Sequence, residues 1–301
     1  MRLKTLAAGV GTGILAACAP MPITAPVPVP TLTMAQVLEQ SIAADWRQPD
    51  PANTLYLELK SGRVLIELAP DFAPKHVANI RTLVRQKYFD GLAVLRVHEN
   101  YVVQWGDADD KRPLGTASAR LPGEYFRSIG ELPFSPMPDG DVYAPQAGYS
   151  KGFPAGRDPK SGTTWLAHCY GMVGAGRDVA PDSGNGSGLY VVIGHSPRHL
   201  DRNVTLVGRV LKGMELLTAL PRGTGALGFY DKPKQRVPIR AIRLAADVPE
   251  RQREKIEVLR TDTPTFAKLV EARRFRREEW FLDPAGRIEL CNVPQVVRAA
   301  P

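Results

Sequence analysis

The chain has 301 residues, 44% of them hydrophobic, which excludes wholesale disorder and allows one large domain with extensions or two small domains. Its net charge of +8 comes largely from scattered arginines, with a local run at Arg273-Arg274-Phe275-Arg276-Arg277. Such a balance suits nucleic acid or an anionic membrane surface. The sequence contains no zinc finger or aromatic RNA-binding strand motif, so we predict no nucleic-acid partner.

The first 17 residues are predicted to be a signal peptide. Two basic residues precede an apolar stretch at 6–17, which is too short to span a bilayer comfortably. The stretch ends in Leu15-Ala16-Ala17-Cys18, which resembles a bacterial lipobox, and this resemblance implies lipidation of Cys18. The alternative is a plain secretory signal in which Cys18 is incidental.

Residues 18–32 are predicted to be a stiff, extended tether from the lipid anchor to the folded domain, because five prolines fall within residues 20–30. Ala19, rather than Asp, follows the lipidated cysteine. By the sorting rule of bacterial lipoproteins, this implies a protein of the cell envelope, anchored in the outer membrane on its periplasmic side.

The elements up to residue 85 are predicted from periodicity. Residues 33–48 are predicted to form a helix with one apolar side. Alternation in Thr54–Lys60 and Arg63–Leu68, joined at Ser61-Gly62, predicts a hairpin. Pro74 is suited to the first turn of a following helix, whose apolar face has helical spacing. That face comprises Val77, Ile80, Leu83 and Val84.

A second hairpin is predicted from two strand-like runs, Leu92–Val97 and Tyr101–Gln104. Alternation places Arg96 and Gln104 opposite their apolar neighbours. Pairing of the runs would therefore present a cation and an amide on one sheet surface, although both residues could equally decorate an ordinary hairpin.

The remaining elements complete a barrel predicted to span residues 33–245. Residues 108–170 are rich in Gly, Pro and charge, and we predict a long irregular insertion there, which should be functional, partly disordered or locally structured. Strands, a short helix and a last strand follow, which suits an antiparallel barrel closed by helices. They are expected at Gly171–Gly174, Leu189–Ile193, Thr205–Leu211, Met214–Leu220 and Val237–Leu244.

Residues 246–301 are predicted to be a mainly helical extension that packs on the barrel, because it is too small to fold alone. Helices are expected at Pro249–Arg260 and Pro264–Trp280, and a strand at Gly286–Cys291. The packing candidates are Phe266, Leu269, Val270, Phe275 and Trp280.

The second hairpin resembles the active-site hairpin of the cyclophilin family of peptidyl-prolyl isomerases, where an Arg precedes Gln-Gly-Gly-Asp. The equivalents are Arg96 and Gln104-Trp105-Gly106-Asp107. Further matches in the family's order extend the resemblance over residues 53–245. They are Ala73-Pro74, Tyr88-Phe89, Asn185-Gly186-Ser187, Leu200-Asp201, Val207–Val210 and Lys212-Gly213-Met214. The resemblance implies a mainly β fold, with a closed antiparallel eight-stranded barrel capped by helices.

The resemblance also implies a catalytic site without cofactor or metal. Arg96 would donate a hydrogen bond to the prolyl nitrogen, and Gln104 would orient Arg96 or bind a substrate carbonyl. The residues implied to bind substrate are Tyr101, Val102, Gly176, Tyr190 and Leu200. Apart from the resemblance, the four larger ones could be ordinary barrel core.

Several positions depart from the family pattern. Leu95 replaces a His, His199 replaces an aromatic residue, and Gly176-Arg177 replaces Ala-Asn. Gly188-Leu189-Tyr190 replaces Gln-Phe-Phe, and the family's pocket His falls at Asn203 or Val204. The residues central to the chemistry are kept while the pocket is altered, which allows a weak or differently selective activity. The expected function is isomerisation of Pro-containing chains that fold outside the cytoplasm. The alternatives are a binding module for Pro-containing segments or envelope partners, and a structural envelope protein; the oligomeric state is left open.

Two cysteines remain besides Cys18. Cys169 and Cys291 form an even pair in a predicted oxidising compartment, so they are either disulfide-bonded or two buried thiols.

Competing motifs are weaker. Gly148-Tyr149-Ser150-Lys151-Gly152 matches Gly-x-Ser-x-Gly, but the surrounding prolines disfavour the strand and helix of a nucleophile elbow. His195 and His199, with His168 and Cys169, suggest a metal site, but Pro197 argues against one helical face. The glycine-rich stretch 174–188 lacks a phosphate-loop Lys.

Overall fold

The computed structural model describes residues 32–301, so the predicted signal peptide, Cys18 and nearly all of the tether lie outside the described residues. Sixteen strands and four α-helices are formed within this range. The strands are β1 Trp46–Arg47, β2 Thr54–Leu59, β3 Gly62–Leu68, β4 Ala93–Val97, β5 Val102–Gly106, β6 Arg127–Ser128, β7 Ser135–Pro136, β8 Gln146–Ser150, β9 Phe153–Asp158, β10 Thr163–Leu166, β11 Met172–Ala175, β12 Leu189–Val192, β13 Leu206–Lys212, β14 Val237–Leu244, β15 Ile256–Leu259 and β16 Val297–Ala299. The helices are α1 Met34–Glu39, α2 Pro74–Arg85, α3 Met214–Thr218 and α4 Pro264–Arg274.

Eight antiparallel strands close into a barrel in the order β11-β12-β5-β4-β14-β2-β3-β13, which confirms the predicted fold class. The first hairpin pairs Thr54 with Glu67 and Leu59 with Gly62, as the alternation predicts. Helix α2 begins at Pro74, and its apolar face is buried in the barrel core. Full burial of each aliphatic side chain contributes roughly 1.5–3 kcal/mol, so this core is the main source of barrel stability.

The prediction of an irregular insertion at 108–170 is wrong. This segment contains a five-stranded antiparallel sheet in the order β6-β10-β9-β8-β7. Its strands have two to six residues and carry Gly and Pro where alternating apolar residues would reveal a strand. Gly156 on β9 meets the Trp165 ring of β10 so closely that a Cβ there would lie 2.6 Å from it. The glycine that hides the strand in the sequence therefore permits its packing.

The predictions for the flanking segments are wrong in part. Instead of one helix over 33–48, the chain forms α1 and then turns at Asp45, whose carboxylate accepts the Ile42 N–H at 2.9 Å. Strand β15 and a short 3-10 turn replace the helix expected at Pro249–Arg260, because Ile256 and Val258 alternate as in a strand. Helix α4 ends at Arg274, well before Trp280.

The strand expected at Gly286–Cys291 is not formed; a 3-10 turn occupies Leu290–Asn292, and strand β16 lies further along. Strands β1, β15 and β16 instead make a third sheet. A second core joins α1, α4 and the inserted sheet, with the Tyr149 and Phe266 rings 5.1 Å apart. Cys169 and Cys291 form a disulfide across this core. Within residues 32–301, no helix is long and apolar enough to cross a membrane.

Candidate active site

The site is built on the hairpin of β4 and β5, which pairs Arg96 directly with Gln104. Directly paired residues of antiparallel strands project from the same face, so the two side chains are neighbours. The connecting turn contains Asn100 at φ 53°, a left-handed conformation that Asn tolerates better than most residues. The sequence alternation thus placed both side chains correctly.

The Arg96 guanidinium is half-buried and fixed by all three of its nitrogens. Nη1 donates to Gln104 Oε1 at 3.2 Å, Nε donates to the Leu227 carbonyl at 2.6 Å, and Nη2 donates to His98 Nδ1 at 3.0 Å. Burial lowers the pKa of Arg96. The Tyr101 and Phe229 rings flank the cation at 5.4 and 5.3 Å from its central carbon, which adds cation–π attraction.

An apolar cluster lies on the same part of the barrel. Tyr101, Val102 and Tyr190 come together as the resemblance implies, and Val192 and Val204 complete the cluster. Leu200 lies instead in the 3-10 turn Arg198–Leu200, half-buried and outside this cluster.

Two glycines admit the larger side chains of the site. A Cβ at Gly174 would lie 2.3 Å from the Tyr190 ring, so only glycine lets the ring lie flat on β11. Gly176 lies next to the Gln104 side chain, because a Cβ at position 176 would come within 3.2 Å of Gln104 Nε2. Gly176 is thereby placed beside the amide rather than within the apolar cluster.

The Tyr190 hydroxyl is hydrogen-bonded to a buried series of polar side chains that the sequence pattern did not predict. Its hydroxyl lies 2.9 Å from His168 Nε2, and His168 Nδ1 lies 2.9 Å from Asp201 Oδ1. Because a carboxylate only accepts hydrogen bonds, Nδ1 carries the proton, and Nε2 accepts from the tyrosine hydroxyl. Asp201 in turn binds Arg198 at 2.6 Å, and Arg198 pairs with Asp141 of the inserted segment.

Burial dominates the electrostatics of this chain of side chains. It lowers the pKa of His168, although the neighbouring Asp201 opposes that effect, and it raises the pKa of Tyr190 above its ordinary value. Both groups are therefore neutral at physiological pH, and the hydroxyl remains a hydrogen-bond donor.

The structure also places the residues of the competing motifs. Ser150 is the buried last residue of β8, and a turn to β9 follows it instead of the helix of a nucleophile elbow. His168 is committed to Asp201 and Tyr190, and Cys169 to the disulfide. Among residues 32–301, no cluster of three or more His, Cys, Asp or Glu side chains could hold a metal ion.

Known proteins resemble this chain over the barrel and beyond it. The sequence profile of the family described as cyclophilin type peptidyl-prolyl cis-trans isomerase matches residues 54–244. A probable peptidyl-prolyl cis-trans isomerase of Brucella suis is 32% identical over 185 residues, which are 59% of this chain and 76% of that protein. Peptidyl-prolyl cis-trans isomerase-like 1 of Bos taurus is 27% identical over 196 residues, covering 64% of this chain and 91% of that protein.

Among solved structures, the crystal structure of cyclophilin AquaCyp293 from Hirschia baltica is similar with a TM-score of 0.68 and 27% identity. The match covers 87% of this chain and 98% of that one, so it extends past the barrel into the inserted and terminal segments.

Proposed function

The chain belongs to the cyclophilin family of peptidyl-prolyl cis-trans isomerases, and from that premise we propose that Arg96 stabilises the twisted X-Pro amide in proteins folding outside the cytoplasm. The observation that carries the proposal is the fixed Arg96–Gln104 pair beside the cluster of Tyr101, Val102 and Tyr190. The proposed substrates are Pro-containing polypeptides.

The reaction makes demands that this site can meet. Rotation about an X-Pro bond must overcome a barrier of about 18–20 kcal/mol, which is lost amide resonance. At the twisted midpoint the prolyl nitrogen regains its lone pair and accepts a hydrogen bond. No bond is formed or broken, so the chemistry requires no nucleophile, metal or cofactor. It requires a donor aimed at that nitrogen and contacts that hold the flanking chain.

Arg96 is suited to be that donor. A guanidinium has five N–H groups, and among residues 32–301 its three contacts leave one N–H on each terminal nitrogen for substrate. Because the group is planar and held by three separate elements, it needs little reorganisation as the lone pair develops. Half-burial strengthens the donated bond relative to one in bulk water.

Gln104 and the apolar cluster are proposed to bind the substrate on either side of the rotating bond. The Gln104 carbonyl accepts from Arg96, and no other residue in the described part of the chain accepts from its amide N–H₂, which can bind a backbone carbonyl next to the proline. Tyr101 is half-buried and offers an aromatic face of suitable chemistry for the prolyl ring, and it packs against the buried Val102 and Tyr190.

The extracytoplasmic part of the proposal is supported by three separate features. The Leu15–Cys18 tetrad fits a lipidated cysteine, and a proline-rich sequence after it suits a spacer between a membrane and a folded domain. The disulfide between Cys169 and Cys291 suits an oxidising compartment. Together they favour a lipid-anchored protein of the bacterial envelope, on the periplasmic side of the outer membrane.

A second candidate function is a binding module with little catalysis. It is favoured by the altered surroundings of the pair, where Tyr190 carries a buried hydroxyl and Val204, one of the two positions at which the family's pocket His falls, completes the cluster. Such a module would hold Pro-containing segments without lowering the rotation barrier.

Isomerisation of a panel of X-Pro peptides by the purified protein separates the two candidates. The enzyme should accelerate exchange on at least part of the panel, and Gln104→Ala should weaken substrate binding while Arg96 still acts. Binding of the peptides without any acceleration would reject the enzyme in favour of the binding module.

A further inference from the structure

A cavity of about 470 Å³ lies where α4 ends, on the C-terminal extension, and its walls carry four arginines. These are Arg273, Arg274, Arg276 and Arg287. Arg274 is neutralised by Asp139, at 2.9 Å, and by Glu271, at 2.7 Å. Among residues 32–301, the other three arginines have no carboxylate within salt-bridge distance. Three cations of the described chain therefore share a cavity without a salt bridge of their own.

The electrostatics of Arg273 show that its charge is poorly compensated. Its Nε is buried and has no hydrogen-bond partner in the described part of the chain. Burial lowers the pKa of Arg273, the neighbouring Arg276 lowers it further, and the attraction of Glu278 offsets only part of this. A buried donor without a partner is costly, and an incoming acceptor would relieve that cost.

The acidic residues of the cavity do not supply this acceptor. Asp283 and Glu289 share the lining, but Glu289 already faces Arg198 at 3.5 Å and accepts the Cys291 N–H at 2.8 Å. The cavity thus keeps an excess of positive charge, and the planar fork of an arginine matches the oxygens of a phosphate.

Exposed apolar side chains adjoin this charge. Trp280 is 82% exposed and Leu282 is 96% exposed, and the Trp280 ring meets the edge of Phe281, a lining residue, with centroids 5.0 Å apart. Tryptophan with arginine is the combination that settles at the boundary between lipid head groups and acyl chains. A free inorganic anion would not explain the exposed Trp280 and Leu282.

We infer that this cavity and the adjoining Trp280–Leu282 segment form a docking site for an anionic phospholipid surface. The arginines hold the phosphate of a head group, while Trp280 and Leu282 enter the acyl boundary. The site is separate from the proposed isomerase function, and either can fail without the other.

Intrinsic fluorescence tests this docking directly, using the full chain. Of the four tryptophans, Trp46, Trp105 and Trp165 are buried, so a change in emission on binding reports on Trp280. Vesicles containing phosphatidylglycerol should shift the emission to the blue, whereas vesicles of phosphatidylcholine alone should shift it much less. Variants of the cavity that leave the N-terminus unchanged separate its contribution from that of residues 1–31.

The matched variants are Arg273→Gln with Arg276→Gln, and Arg240→Gln on the exposed side of β14 as the control. One arginine near an anionic surface contributes about a fivefold gain in partitioning, so the double variant should lose roughly 25-fold and the control should lose little. Equal shifts on both vesicle types, or an unchanged response in the double variant, would overturn the inference. If calorimetry detects binding of inorganic phosphate while the chain shows no preference for the anionic vesicles, the cavity binds a free anion and the lipid-docking inference is overturned.

Discussion

Arg96 illustrates how distant parts of the chain determine the properties of one side chain. Its partners come from the next strand, from the hairpin turn and from Leu227, which lies 131 residues further along. Hairpin alternation predicts the first of these contacts. It cannot predict the Leu227 carbonyl, because that contact depends on how a loop closes over the barrel. The same holds for His168 and Asp201, which are 33 residues apart and were no more than a weak metal motif and a family match in the sequence.

The neutral His168 predicts a specific pH dependence of stability. Its pKa in the folded protein lies below the ordinary value of 6.5, so the unfolded chain binds a proton more readily than the folded protein does. The free energy of unfolding should therefore fall as the pH drops below about 6.5, by at most about 1.4 kcal/mol per pH unit.

Denaturant unfolding between pH 7.5 and 5 measures this effect. The advantage of the wild type over His168→Gln should shrink as the pH falls, while His195→Gln, at an exposed position, should keep the wild-type dependence. A constant difference across this range would show that His168 is not held neutral by burial.

At the scale of elements, sequence periodicity was informative where polar and apolar residues alternate. It predicted the first hairpin and α2 closely, and it located all eight barrel strands along the chain. It was not informative for β6 to β10, where Gly and Pro replace the alternating residues, and it mistook β15 for a helix. These short strands are stabilised by tertiary packing, such as the contact of Gly156 with Trp165, rather than by local propensity.

The disulfide connects the segment before β11 to the C-terminal extension across 122 residues of sequence. Such a cross-link stabilises mainly by restricting the unfolded chain, and its loss should cost about 2–5 kcal/mol. We expect Cys169→Ala with Cys291→Ala to unfold at a lower denaturant concentration than the wild type. Adding a reductant should lower the wild-type midpoint and leave that of the double variant unchanged. Equal midpoints for oxidised wild type and double variant would contradict this role.

At the scale of the whole molecule, the inserted sheet and the C-terminal extension are additions to the barrel. They pack continuously against the rest of the folded chain and are not separated from it by a linker. The second core contains residues from α1, the inserted sheet and α4, and Arg198 pairs with Asp141 to join the inserted segment to the chain beneath Tyr190. The additions therefore support one wall of the proposed site, which a bare barrel would leave without that support.

The predicted anchor lies outside the described residues and has its own test. Lipidation of Cys18 should move the protein to the membrane fraction, and Cys18→Ser should leave an unprocessed precursor. A single acyl chain binds membranes only marginally, so stable anchoring implies more than one. Intact-mass analysis of membrane-purified protein decides the matter, and an unmodified Cys18 would refute lipidation.

The rate of X-Pro isomerisation by Arg96→Lys is the sharpest test of Arg96 as the donor to the prolyl nitrogen. We expect Arg96→Lys to lose nearly as much activity as Arg96→Ala, about 10²–10³ in kcat/KM, because a flexible ammonium cannot reproduce the fixed, planar donor. The control Arg240→Ala should keep the wild-type rate, and the melting temperature should change little in all three variants. A well-folded Arg96→Lys or Arg96→Ala protein that isomerises as fast as the wild type would show that Arg96 does not stabilise the twisted amide.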